Sequence, residues 1–409
     1  MNRLLGITLG ILTAIGGFLD IGELVTGSLA GARFGMSLAW VVVVGVVGIM
    51  LYAEMSARIA ALTGRAVFDV VRERLGPRVG LLNLGASFFV NFLTLAAEIG
   101  GVALALELAS DVSYLLWIPL VAFAIWIVLW RVPYQAMERL YGLLGLALVV
   151  FVVALVKLHP DWGQLWHGAS HPTVPQGEGH PTWWYYAIAI FGAAMTPYEV
   201  FFFSSGAIEE KWTRKDLIEA RMNVLIGFPL GAVLTISLMA IAHLVLQPAN
   251  VQVDHLGQAA IPVAVATGKV GLAFVLVGFF AATFGAAMEV TLSSGYVVAQ
   301  YFGWSWGKLV RPARASRFHA LVLVTVVAAT GLVLTTVDPV KVTEYSVVLS
   351  AVALPLTYFP ILVAANDRSY LGDDVNPRWM NGLAVVYLVL IVAASAAAIP
   401  LMLATKAGL

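Results

Sequence analysis

The chain has no cysteine, which excludes disulfides, iron–sulfur clusters and thiolate metal sites. It is also poor in charge. Only 11% of its 409 residues are Asp, Glu, Lys or Arg, where a soluble chain carries about 25%. The water-facing surface of a soluble protein this size cannot be built from so few. The charges sum to zero, so nothing electrostatic argues for nucleic acid or an acidic partner. No polar stretch is long enough for an extramembrane domain, and no nucleophile–base pair stands out. An enzyme is therefore not expected, nor a cofactor, nor an obligate protein partner.

Apolar residues fill the space. They make up 61% of the chain, and mean hydropathy is +0.91. That is enough for about eleven spans of ~20 residues. The chain reads as an all-α polytopic membrane protein, with the lipid bilayer as its solvent. The apolar runs fall at 4–31, 36–62, 79–109, 113–131, 137–158, 182–206, 222–247, 267–302, 319–337, 342–366 and 379–404. Arg3 precedes the first run, as in a signal peptide. No A-x-A site precedes the end of that run, so it is expected to be retained.

Eleven spans place alternate loops on opposite sides. Eighteen of the 23 Lys and Arg fall on one side, among them Arg58, Arg65, Arg72, Arg74, Arg78, Arg214, Lys215 and Arg378. Five fall on the other: Arg33, Lys157, Lys269, Lys341 and Lys406. The positive-inside rule then predicts a cytoplasmic N-terminus and an outer C-terminus in the cell (inner) membrane. The loop from His159 to His180 would also lie outside.

Polarity interrupts two of the runs. In the first, Gly16-Gly17-Phe18-Leu19-Asp20-Ile21-Gly22-Glu23 puts two carboxylates and three glycines amid Leu, Ile and Val. Each acid would cost roughly 2.5–3.5 kcal/mol at the bilayer centre if unpaired. In the sixth, Phe191-Gly192-Ala193-Ala194-Met195-Thr196-Pro197-Tyr198-Glu199 repeats the pattern. Pro197 removes an amide donor and disfavours helix at Thr196. Asp20 alone would suit the interface end of a short helix, and Pro197 alone an ordinary kink. Together they open two five-helix halves, which points to an inverted-repeat transporter with its site near the midplane. The expected single transmembrane domain, 1–409, divides into repeats at 1–158 and 182–366 and an extra helix at 379–404.

The converging groups are Asp20, Glu23, Thr196 and Glu199, with backbone carbonyls before each break. All are oxygen donors, which suits hard cations such as Mg²⁺, Ca²⁺ or Mn²⁺. An organic amine remains an alternative cargo, and an amino acid a weaker one.

Gly17-Phe18-Leu19-Asp20-Ile21-Gly22-Glu23 resembles the Asp-Pro-Gly-Asn motif in the first helix of the NRAMP divalent-metal transporters. Ala193 to Tyr198 resembles their sixth-helix segment ending in Met-Pro-His. Ser56 to Arg65 and Ala97-Glu98-Ile99-Gly100 also follow the family pattern. The resemblance implies an eleven-helix LeuT-type fold, a 5+5 inverted repeat plus one helix, with helices 1 and 6 unwound. It implies Asp20, Glu23, Thr196 and the carbonyls of Gly17 and Ala193 around a divalent ion, which is cargo and not cofactor. The departures point to a branch. Glu23 replaces the family's Asn, Thr196 its metal-binding Met, and Tyr198 its His, while Met195 lies one residue off register. The pattern is similar to the NRAMP-related magnesium transporters. Loss of the soft thioether shifts the site toward hard ions, and Mg²⁺ gives up water reluctantly. Proton-coupled Mn²⁺ or Fe²⁺ uptake is the alternative.

Further polar residues stand in the spans. Glu98 matches a family proton-path acid, but the acid three residues earlier is here Leu95, so a structural role competes. The resemblance implies that Glu289 falls near the ion path, and that Ser346 does so too, one turn from Ser350; either serine could bond to its own helix instead. Glu54 is expected to pair with Arg58 at i,i+4. His159, His167, His171 and His180 match no metal spacing and read as a solvated loop. Thr213 is a candidate N-cap.

Overall fold

The computed structural model describes residues 18–132, 134–335 and 338–408. Among them every regular element is helical. Nine helical stretches are long and apolar enough to cross a membrane, or ten if Gly142–Lys157 and Trp162–Ser170, bent by 113°, count as one. The first half of the expected first span, with Gly17, lies outside the described residues; its second half forms α1, Ile21–Phe34.

The chain continues through α2 (Ala39–Thr63), α3 (Val67–Ser110), α4 (Tyr114–Arg131), α5 (Tyr134–Gly145), α6 (Val150–Lys157) and α7 (Trp162–Ser170). The broken sixth span is α8 (His180–Ala194) and α9 (Pro197–Glu209). Then come α10 (Leu217–Met222), α11 (Phe228–Val245), α12 (Leu256–Phe302), α13 (Ser316–Leu334), α14 (Pro339–Ala365), α15 (Arg368–Leu371) and α16 (Arg378–Ala404).

Three boundaries differ from the sequence reading. The third and eighth spans are preceded by helix, not loop. α3 and α12 each begin with an extra segment that joins the span at a glycine outside helical geometry, Gly76 (φ 85°) and Gly268 (φ 69°). Left-handed φ at these two positions is accessible to Gly without a Cβ penalty. The fifth span is not one regular helix: Leu146–Val149 is a 3₁₀ turn between α5 and α6. The outer loop is not wholly open either. Asp161 caps α7 by accepting from the amides of Gly163 (2.8 Å) and Gln164 (3.1 Å). A π turn, Asn223–Gly227, also precedes α11.

Burial sorts the helices. α8 and α9 are buried almost all round, which marks the centre of the bundle. α16 buries only Ala384, Tyr387, Ile391 and Ala398, one stripe at helical spacing. It lies at the lipid-facing edge. Close approach at the centre uses small residues: a Cβ built on Gly192 would stand 2.2 Å from the carbonyl oxygen of Val347 on α14.

Loop contacts agree with the alternation of sides. Arg214 pairs with Asp374 (2.5 Å), Arg74 with Asp367, and Arg58 donates to the Asp374 carbonyl (2.7 Å). These join loops that span parity puts on one face. Glu54 pairs with Arg58 (3.3 Å) as expected and also with Arg221 (3.0 Å). On the other face Arg33 binds Glu178 (2.6 Å) and the Gly408 carbonyl (2.6 Å). Thr213 N–H and Oγ1–H both donate to Asp216 Oδ2, at 2.8 and 2.9 Å.

Candidate cation site

The two breaks are built differently. Phe18 is helical, Leu19 and Asp20 are not, and α1 restarts at Ile21. Asp20 is its N-cap, with Oδ1 accepting from the Glu23 amide at 3.0 Å. That bond satisfies one of the free amides of a helix start. At the second break Met195 and Thr196 leave helical geometry, Thr196 with φ −61° and ψ 132°, as a residue before proline prefers. Pro197 has no N–H for the carbonyl of Ala193, its i−4 partner. Neighbouring carbonyls are taken: Ser350 Oγ–H donates to Gly192 (3.3 Å) and Tyr358 O–H to Met195 (3.0 Å). The Ala193 carbonyl thus lacks the amide donor that a continuous helix would give it.

The breaks face each other. Tyr198 O–H donates to Asp20 Oδ2 at 3.3 Å. A Cβ on Gly22 would stand 3.6 Å from that of Ala193. From α3, Glu98 Oε1 accepts from the Ile21 amide at 3.1 Å, a second cap for α1. Glu23 is fully buried and neither of its carboxylate oxygens has a hydrogen-bond partner. The nearby Thr235 hydroxyl is turned to the Gly231 carbonyl (3.4 Å). The hydroxyl of Thr196, Oε2 of Glu98 and Oε2 of Glu199 are likewise buried and unpartnered. Asp20 lies within electrostatic reach of Glu23, Glu98 and Glu199, and Glu289 within reach of Glu98 and Glu199. Among the described residues no Lys, Arg or His forms an ion pair with the first four.

No three acidic or histidine side chains among the described residues are close enough to hold a metal ion by themselves. An ion here would rest on two carboxylates with neutral oxygens and water. The one thioether at the break is turned away. A Cβ on Gly48 would lie 2.7 Å from Met195 Sδ and 2.8 Å from the Tyr387 ring, so the sulfur packs toward α2 and α16.

The structure therefore gathers Asp20, Glu23, Ala193, Thr196, Tyr198, Glu199 and Glu98, with half-buried Glu289 nearby. Ser346 and Ser350 are not bonded to their own helix. Ser346 pairs with the Thr94 hydroxyl at 2.8 Å, because the bundle offers each serine a buried partner on another helix. The outer histidines form no metal cluster, although the His167 and His171 rings stack at 4.4 Å. Sequence reasoning missed Tyr358 and the polar face of α3. The second had a signal, since Asn83, Ser87, Asn91, Thr94 and Glu98 recur every three or four residues.

The Klebsiella pneumoniae subsp. pneumoniae divalent metal cation transporter MntH is 26% identical over 386 residues, covering 92% of this chain and 89% of the relative. The MntH of Chromohalobacter salexigens is 25% identical over 392 residues, covering 92% and 86%. Among solved structures, a mutant of the Eremococcus coleocola manganese transporter superposes with TM-score 0.79 at 19% identity, covering 96% of this chain and 85% of that one. The nucleobase–cation symport-1 family transporter MHP1 superposes with TM-score 0.62 at 15% identity, covering 97% and 91%. A family model described as natural resistance-associated macrophage protein-like matches residues 10–400, and the chain belongs to this family, Nramp.

Proposed function

We propose that this protein is a secondary transporter that imports a hard divalent cation, Mg²⁺ foremost and Mn²⁺ also, by alternating access. The family and its MntH relatives support divalent metal transport and argue against an enzyme. The observation that carries the cation reading is Glu23. A fully buried carboxylate with both oxygens unpartnered costs several kcal/mol or more, and a bound cation offsets that. Asp20 and Glu23 are the charged ligands, Thr196 supplies a hydroxyl or holds a water, and Ala193 and Gly17 supply carbonyls. The preference for a hard ion rests on this all-oxygen set and on the turned-away Met195 sulfur. Mg²⁺ keeps several waters in protein sites, which suits two carboxylates better than a closed cage.

The repeats at 1–158 and 182–366, with 379–404 outside them, are supported by breaks that recur five spans apart, in spans one and six and in spans three and eight. The arginine-rich face is assigned to the cytoplasm, in the cell membrane. Transport is driven mainly by the membrane potential, worth about 2.3 kcal/mol per charge per 100 mV. Proton coupling is not part of the proposal. Tyr198 occupies the place of a titratable imidazole, with its O–H on Asp20, and fully buried Leu95 stands one turn before Glu98.

Proteoliposomes with a pH-sensitive dye inside test this. Mg²⁺ uptake should follow an imposed potential, compete with Mn²⁺, and leave lumen pH unchanged. Acidification that tracks metal concentration and disappears in Glu98→Gln overturns the uncoupled reading. Mn²⁺ uptake indifferent to excess Mg²⁺ overturns the ion assignment. The second reading, proton-coupled Mn²⁺ import, is favoured by Glu98 Oε2, buried and without a partner.

A further inference from the structure

One face of α3 is polar through much of the hydrophobic bundle. Asn83, Ser87, Asn91, Thr94 and Glu98 all lie on it, each buried. At 1.5 Å per residue the line is roughly 22 Å long, most of the ~30 Å hydrocarbon core. The opposite side of the same helix meets lipid, with Leu82 63% and Phe89 52% exposed. The polar face packs against α12 and, at Thr94, against Ser346 of α14. Asn91 Nδ2–H donates to Ser293 Oγ (3.4 Å), and Ser293 Oγ–H to the Tyr198 carbonyl (3.2 Å). Ser87 Oγ–H donates to Asn83 Oδ1 (2.9 Å).

These bonds leave a buried atom without a partner at three successive levels: Asn83 Nδ2, Asn91 Oδ1 and Glu98 Oε2. Such atoms are uncommon in folded proteins, and in polar interiors bound water fills the role. The face runs on to Gly80, one turn before Asn83. A Cβ there would meet Arg72 Cγ and the Tyr301 ring, each at 3.3 Å. The Arg72 guanidinium is fixed at this end by donating to the Tyr301 carbonyl. The line thus has acids at its inner end, neutral hydroxyls and amides along its length, and a fixed cation at its mouth.

We propose that the seam between α3 and α12 is a water passage, separate from the route of the transported ion. It joins the arginine-rich face to Glu98 and the site, and Arg72 bars cations from it. Neutral side chains conduct water by hydrogen bonding and offer a cation no counter-charge. A guanidinium at the mouth adds an electrostatic barrier to positive ions. The passage supplies the waters that a partly hydrated ion keeps and that refill the site once the ion leaves. This role rests on the transport reading. The passage itself does not depend on which ion is carried, so the test below fails or succeeds apart from uptake.

The native chain has no cysteine, so single cysteines report cleanly. Ser87→Cys and Asn91→Cys probe the seam, and lipid-facing Phe89→Cys is the control. Thermal unfolding confirms that each variant is folded; Ser87→Cys is nearly isosteric and carries the test if Asn91→Cys does not fold. Hydroxyl radicals made from water by radiolysis should oxidise the seam cysteines at least tenfold faster than the control. Equal rates mean a dry seam and overturn the proposal. Ag⁺ added at the arginine-rich face should react slowly with Ser87→Cys, at least tenfold faster once Arg72→Gln is added, and slowly again with Arg72→Lys. An Ag⁺ rate unaffected by Arg72→Gln overturns the cation barrier. A rate that rises equally in Arg72→Lys also does so, because it would mean that Arg72 acts only by holding Tyr301.

Discussion

Replacing Glu23 by Gln should move stability and binding in opposite directions. Both oxygens of Glu23 are buried without partners, and Asp20 lies within the same turn, its Oδ1 on the Glu23 amide. Without an ion, the unpaired buried charge costs several kcal/mol, of which a neutral amide keeps only the about 1–3 kcal/mol of an unsatisfied polar group. Gln keeps the shape and removes the charge. The metal-free variant should melt a few degrees higher, since a kcal/mol is worth about 2 °C in a large domain. Binding should suffer. Removing one partner of a buried charge contact costs roughly 2–5 kcal/mol, which is about 30-fold to several thousand-fold in Kd. Metal at 100 times the wild-type Kd stabilises wild type by about 2.7 kcal/mol. At that concentration a 30-fold weaker variant gains only about 0.9 kcal/mol. Thermal unfolding in detergent, with and without Mg²⁺, reads both effects, and calorimetry gives Kd. A variant that melts lower without metal, or keeps the full metal-induced rise, would refute the reasoning, because Glu23 would then be a structural group.

Thr196→Met should place a soft donor where the hydroxyl is unpartnered, shifting competition toward Cd²⁺ and Mn²⁺ over Mg²⁺; unchanged competition curves would mean that residue 196 does not face the ion. Gly192→Ala drives a Cβ to 2.2 Å from a backbone oxygen, which no rotamer relieves; a loss of about 1–3 kcal/mol and impaired transport are expected, and wild-type melting would disprove the close packing. Lys308, in the loop after α12, has its pKa lowered to about 8 by burial, against the opposing pull of Glu209. A base depressed in the folded state binds fewer protons than in the unfolded one, so its penalty is full below about pH 8 and is relieved as pH rises toward the unfolded value near 10.5. Lys308→Met should therefore raise the melting temperature at neutral pH, and the gain should shrink above pH 8; a gain constant across that range would show that charge is not the cause.

The sequence reading succeeded where the signal was chemical. Asp20, Pro197 and the glycines around them announced both helix breaks, because a carboxylate or a proline in an apolar run conflicts with a continuous lipid-facing helix. Loop parity was legible too, and the pairs Arg214–Asp374 and Arg33–Glu178 join loops of like side. The reading failed where two structures share a composition. The segments before Gly76 and Gly268 are apolar enough for helix yet too short to span, and only the backbone distinguishes them from loop. The partners of Ser346 and Ser350 lay on other helices, and spacing within one helix cannot disclose those. Tyr358, which holds the Met195 carbonyl, stands more than 160 residues away from it.

Gly76 and Gly268 stand in spans three and eight, which run in opposite directions. Their lead-in segments, 67–75 and 256–267, consequently lie at opposite faces of the bundle. A Cβ at either glycine would meet nothing within 4 Å, so space does not dictate the residue; only the backbone angle does. An alanine there should cost about 1–3 kcal/mol, because positive φ with extended ψ is essentially confined to glycine, without disturbing any neighbour. The protein thus carries two unpacked elbows of one design, one per face. Glycine itself takes this geometry without a Cβ penalty, so neither elbow stores strain. What holds the two lead-in segments is therefore local: Arg65 on Glu73 at one face, and the His255 amide donating to the Gln258 side chain at the other.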